Sequence, residues 1–178
     1  MNQMARLSRS GETCVDEIAS SEIVTLFNAT FATENTRLQG GAHEPFFRPA
    51  TAGEPAVIHF RADYLRSALH EVAHWCVAGE ARRKLADYGY WYSPDDRDEH
   101  QQAAFFAVEA RPQALESLFC SALGIRFSPS IDNFSLTLER DQLANFQRRI
   151  EQVRGRFLAV GMPARAKVFL TAVEAISR

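Results

Sequence analysis

Ser67 to Glu80 reads SALHEVAHWCVAGE and holds His70-Glu71-x-x-His74 followed by Gly79 and Glu80. Positions four apart on an α-helix share a face, about one turn along the axis, so both imidazoles can reach one metal ion from the same side. Glu71 is rotated by roughly a hundred degrees, close enough for its side chain to lean toward an open coordination position. A Lewis-acid metal with a carboxylate beside its bound water is the chemistry that suits this spacing. The flanking Leu69, Val72, Ala73, Trp75, Cys76 and Val77 are apolar almost all round, the pattern of a buried helix, and two buried histidines need a partner.

Catalytic sites usually take a third protein ligand. In the pattern HExxHxxGxxH a glycine turn returns the chain to give that ligand six residues after the second histidine. Here that position is Glu80, just after Gly79, while Val77 stands where the glycine would be. The set would be His70, His74 and Glu80, a two-histidine, one-carboxylate group. Such a group serves non-haem iron(II) oxygenases and some zinc hydrolases. The competitor is Glu109, in AVEARP, arriving from a separate segment; Glu80 can also be an ordinary charge after a C-cap glycine. Glu116 counts as an ordinary helix charge unless Glu109 is also at the site.

The elements that position these residues follow from periodicity. Residues 1–13 look like a disordered tail, and residues 14–178 like one domain, large enough for a full core. Helix-spaced apolar residues from Val15 predict a helix ending near Ala32. Residues 33–55 are rich in Gly, Pro and polar side chains and read as a long loop, with His43 and Glu44 exposed. Ala56–Phe60 is a short strand carrying His59 as a sheet histidine, and Asp63 is the expected N-cap of the motif helix from Tyr64. Residues 80–86 read as helical, and Tyr88–Tyr92 as an aromatic strand at a pocket edge. Helices are expected at 98–110 and, restarted by Pro112, up to a C-cap at Gly124; one or two short strands lie within 125–138. Two helices, about 140–159 and 163–177, close the chain. The sum is an α+β fold, a small mixed sheet with helices around a central HExxH helix.

Composition excludes some classes. The net charge of −2 gives no general bias toward nucleic acid, and no apolar run approaches membrane-spanning length. From Leu138 onward, eight Lys/Arg face four Asp/Glu, a solvated face or a docking patch for an acidic partner. Cys14, Cys76 and Cys120 form no CxxC and no even framework, and the N-terminus has no apolar signal core. A soluble, cytoplasmic protein with core thiols is expected.

The strings SALHEVAHWCVAGEARRKLADYGYWYSPDDR and QQAAFFAVEARPQALE, the Asp132-Asn133 segment and the earlier NTRLQGG-AHEPFFRPA resemble the elongation factor P hydroxylase family, in order, over most of residues 20–135. The resemblance implies hydroxylation of an elongation factor P lysine that already carries a β-lysyl group, by a non-haem-iron-type enzyme with dioxygen as co-substrate and no direct nucleic-acid partner. It also implies a fold similar to a metal-dependent bacterial rRNA-maturation ribonuclease, whose ligands are spaced four and then six apart. Carried onto this chain those positions are His70, His74 and Glu80, with Glu71 beside the metal-bound solvent as the catalytic carboxylate. Tyr90 and Trp91 would line the channel for a cationic lysine. The chain departs from the family pattern at Phe106, where relatives carry an acidic residue. The alternative reading is a zinc-dependent peptidase or nuclease on the same HExxH site, with Glu71 as general base.

Overall fold

The computed structural model describes residues 18–90, 98–131 and 140–177. In chain order they form α1 (Ser20–Thr30), β1 (Thr36–Ala42), β2 (Phe46–Arg48), β3 (Ala56–Arg61), α2 (Leu65–Val77), α3 (Glu99–Ala122), α4 (Arg140–Val160) and α5 (Ala164–Ile176), with 3₁₀ turns at Arg82–Lys84 and Ala86–Gly89. This is the expected α+β class. The sheet runs β1-β3-β2, with β1 parallel and β2 antiparallel to the central β3.

The predicted loop at 33–55 is corrected, because β1 and β2 lie inside it. Its strand character is hidden in composition. Only Thr36 and Leu38 of β1 are buried, so apolar alternation is too short to see. What holds β1 is pairing with β3 and the Asn28 side chain of α1, which accepts from Leu38 N at 2.9 Å and donates to Leu38 O at 3.2 Å. At Gly40 the strands approach so closely that a Cβ would lie 2.7 Å from Phe60 Cζ. His43 and Glu44 are exposed, as expected.

α2 is the buried helix its sequence implies: Ala68, Leu69, Val72, Ala73, Trp75 and Cys76 all face the core. Trp75 sits edge-on to Phe27 and Phe31, with centroids 5.2 and 4.8 Å away, and Phe169 of α5 closes the cluster against Phe27 and Phe119. Two end signals differ from expectation. The N-cap is Tyr64, not Asp63, and has no side-chain cap bond. Helix α2 ends at Val77, and Ala78 leaves it in extended conformation (φ −62, ψ 125), so Gly79 does not serve as a left-handed cap. The exposed carbonyls at this end go instead to Arg165, which donates to Trp75 O and Ala78 O at 2.9 and 2.6 Å, and to Arg83, which reaches Ala78 O at 2.9 Å.

The expected break at Pro112 is also corrected. α3 runs unbroken from Glu99 to Ala122 with Pro112 inside it. A proline removes one helical N–H and crowds the preceding turn, but burial of the flanking face outweighs that cost here: residues 112–120 are all buried. Residues 80–86 are a 3₁₀ turn rather than a helix, and Tyr88–Tyr90 are a turn rather than a strand; Trp91 and Tyr92 lie outside the described residues. Residues 125–131 carry no strand, and 132–139 lie outside the description, as do the tail at 1–13 and Cys14. α4 and α5 match expectation within a residue or so.

Because Trp75 is fully buried between α1, α2 and α5, Trp75→Ala is expected to cost about 3–5 kcal/mol. Urea denaturation of the purified variant measures it, and a loss under about 1 kcal/mol would contradict the packing described.

Candidate metal centre

α2 presents Arg66, His70 and His74 at four-residue intervals along one stripe. α3 packs against it and presents Gln102, Glu109, Gln113 and Glu116, all buried. Those four recur at helical spacing, so they form a polar stripe on an otherwise apolar face. The two stripes meet. His74 Nε2 lies 3.2 Å from Glu109 Oε1, and His70 Nε2 lies 3.6 Å from Glu109 Oε2. The two ring Nε2 atoms are 3.1 Å apart. One ligand atom from each of His70, His74 and Glu109 falls within 4.8 Å of the others, the only such group of three or more among the described residues.

The donor set fits a divalent ion. Two imidazole nitrogens bound about 2.1 Å from one metal, at octahedral or tetrahedral angles, stand about 3.0–3.4 Å apart. The observed nitrogen separation lies in that interval. The carboxylate is 3 % exposed, and burying a lone anion at that depth is costly unless cations face it.

Glu80 is not in this group. Its side chain is 80 % exposed and pairs with Lys84 at 3.0 Å, an i,i+4 contact that holds its carboxyl below the usual range. The reason is the end of α2. A returning third ligand needs a turn at the position Val77 occupies, but Val77 is still helical and Ala78 continues outward with its carbonyl held by Arg165 and Arg83. Glu109, the competitor that spacing left open, is the carboxylate that lies beside both histidines. Glu116 then becomes relevant as well: its Oε2 lies 2.9 Å from His70 Nδ1, and its Oε1 accepts from Arg66 at 2.6 and 3.1 Å.

Glu71 is partly buried beside the centre, and no hydrogen bond reaches its carboxylate among the described residues. Burial pushes its carboxyl up, the charges of His70 and His74 pull it down, and those of Glu109 and Asp87 push it further up; the net shift is upward. One wall of the site is aromatic. The Tyr88 ring stacks on Phe47 of β2 at 4.3 Å and lies parallel to the His74 ring at 6.3 Å. Asp87 Oδ1 accepts from Phe47 N at 2.8 Å, joining the turn to the sheet. Asp87 and Tyr88 both hold left-handed backbone (φ 45 and 57), uncommon for residues with side chains and concentrated at functional sites. Arg82 braces this turn by donating to Tyr88 O at 3.0 Å. It also lies 4.4 Å over the Tyr90 ring, so that ring face already carries a cation.

His59 stays on β3 as a sheet residue, and Cys76 and Cys120 are buried free thiols outside the donor group. Phe106 stacks on Phe146 of α4 at 4.2 Å. Sequence reading missed Arg66, Asp87 and Gln113. The available signal was the four-residue repeat Arg66-His70-His74 and the buried-polar repeat on α3, which an assumed break at Pro112 cut in two.

The charges here are strongly coupled. Burial opposes a charged His70, but the hydrogen bond and charge of Glu116, with Glu109 and Glu71, outweigh it and raise His70 from 6.5 to about 10. Burial likewise raises Glu109, but His74, His70 and Gln113 outweigh it and bring the carboxyl down from 4.5 to about 2. In the metal-free protein His70 therefore contributes stability below pH 6.5 that is lost as pH rises through about 10. Glu109 contributes above pH 4.5 and loses it as pH falls through about 2. The Tm gap between chelator-treated wild type and a His70→Gln/Glu109→Gln double variant should be widest between pH 4.5 and 6.5; a pH-independent gap would contradict the coupling. For the donors themselves, Glu109→Ala should cut bound divalent metal, read by elemental analysis, by about tenfold or more, and Glu80→Ala should leave it unchanged.

Residues 26–177 match the family model described as elongation factor P hydroxylase. A protein of Haemophilus influenzae (strain ATCC 51907 / DSM 11121 / KW20 / Rd) named elongation factor P lysine hydroxylase is 41 % identical over 156 residues, which is 86 % of this chain and 86 % of that relative.

Proposed function

The chain belongs to the elongation factor P hydroxylase family, and from that premise we propose that it hydroxylates a lysine side chain of elongation factor P, the one bearing an added β-lysyl group. The observation that carries the reading is the convergence of His70, His74 and a buried Glu109 on one point. Two imidazoles and one carboxylate with open positions are the donor set of non-haem iron(II) oxygenases. Iron(II) bound there would supply dioxygen chemistry, with dioxygen as co-substrate. The donor chemistry favours this over a structural site, which is usually closed by four ligands including cysteine.

The chain's own residues have definable tasks. His70 and His74 offer Nε2 from one helix face, and Glu109 offers a carboxylate oxygen from the facing helix. Glu71, its carboxyl raised by burial, is suited to take a proton from solvent at the centre and return it. The stacked Phe47 and Tyr88 rings keep water from the His74 side. Asp87 and Glu71 bring negative charge to the approach, which suits a cationic lysine side chain. The basic residues of α4 and α5 would meet an acidic surface of the protein substrate. No described helix is long and apolar enough to cross a membrane, and we place the enzyme in the cytoplasm with the translation factor it modifies.

The deciding experiment is intact mass of β-lysylated elongation factor P after incubation with the protein, iron(II), a reductant and air. Wild type should add one oxygen atom, Glu109→Ala none, and Glu71→Gln should slow the gain by about 10²-fold while retaining metal. No gain with any reductant, together with tightly copurifying zinc, would overturn the oxygenase reading in favour of a hydrolase with Glu71 as general base.

A further inference from the structure

We infer that Arg66, Glu116 and Gln113 are positioning residues that aim the metal donors and tie them to one backbone anchor, Ser128 to Ser130. The inference rests on the metal reading above and extends it to residues that do not touch the ion.

One arm runs to His70. Glu116 is 2 % exposed and offers only acceptor atoms when ionised, so at 2.9 Å from His70 Nδ1 it fixes the hydrogen on that nitrogen. In the neutral ring that takes up a metal, the lone pair is then on Nε2, which faces His74 and Glu109. A carboxylate on the far nitrogen of a ligating histidine both orients the ring and makes it a stronger donor. Glu116 is held in turn by Arg66, whose guanidinium also donates to Ser128 Oγ at 2.9 Å and to Ser128 O at 2.7 Å. A purely structural role explains this arm poorly, since a buried ion pair is commonly no more stabilising than apolar packing of the same volume.

The second arm runs to Glu109. Gln113 is fully buried, and its amide is fixed at both ends by the Ser130 backbone: Nε2 donates to Ser130 O at 2.8 Å, and Ser130 N donates to Oε1 at 3.1 Å. This orientation turns an Nε2 hydrogen toward Glu109 Oε2 at 3.4 Å. Two donors on two helices are thus wired to the same short segment through different side chains. Coupling of this kind is reciprocal, so a metal that orders His70 and Glu109 must also steady residues 128–130.

Cobalt(II), added to the metal-free full-length chain, is the probe. Glu116→Gln and Arg66→Met should each weaken cobalt affinity by about 10–100-fold and alter the visible absorption of bound cobalt, with far-ultraviolet circular dichroism unchanged. In wild type, cobalt should slow hydrogen exchange at the Ser130 amide, and Gln113→Met should abolish that slowing. If Glu116→Gln does not fold, Ser128→Ala removes a single Arg66 contact and should still weaken cobalt binding by a few fold. Folded variants with wild-type affinity, spectrum and Ser130 exchange would overturn the inference. Failure of wild type itself to bind cobalt would overturn the metal reading and, with it, the inference.

Discussion

A carboxylate buried as deeply as Glu109 is tolerated only where cations or hydrogen-bond donors face it. Two histidine nitrogens within 3.6 Å and a buried glutamine amide meet that condition. The rest of the arrangement follows from it. α2 must present both imidazoles on one stripe, α3 must lie alongside with its polar stripe turned inward, and the aromatic core around Trp75 must hold α2 against α1 and α5 from the other side. The small sheet serves mainly as backing, and its edge strand β2 reaches the site through the Phe47 contact with Asp87.

The chemistry of the centre and the stability of the fold draw on the same interactions with opposite requirements. The protein keeps an excess of carboxylates around two imidazoles: Glu71, Asp87, Glu109 and Glu116. Unbalanced, such a cluster repels itself; balanced by a divalent cation, it becomes an attractive cradle. The left-handed pair Asp87-Tyr88 has the same character, since strained backbone persists only where surrounding contacts, here Phe47 and Arg82, hold it in place.

Much of this was legible in the sequence, and the failures have physical reasons. Helical periodicity located α2, α4 and α5, because one apolar face per helix leaves a clear repeat. His70 and His74 were legible because a spacing of four is local geometry. The place of Glu109 beside them was not. Whether a chain returns to its helix depends on which residue adopts the left-handed turn, and the carbonyls at the end of α2 are claimed by Arg165 from a distant helix, which no local pattern reveals. Pro112 misled in the same way: its intrinsic cost is local, while the burial that outweighs it is tertiary. β1 escaped notice because its stability comes from Asn28 and β3 rather than from its own side chains.

The contact from Arg165 to Trp75 O spans ninety positions of the chain and bears on how the protein matures. During synthesis α2 emerges well before α5, and domains build from the N-terminal side first. Until α5 arrives, the carbonyls at the end of α2 have only water and Arg83 as partners, and Trp75 lacks the guanidinium that later covers its ring. The histidine helix is therefore made early and locked late. Its geometry becomes final only when α5 docks, which leaves a nascent chain with both imidazoles in hand but no finished centre.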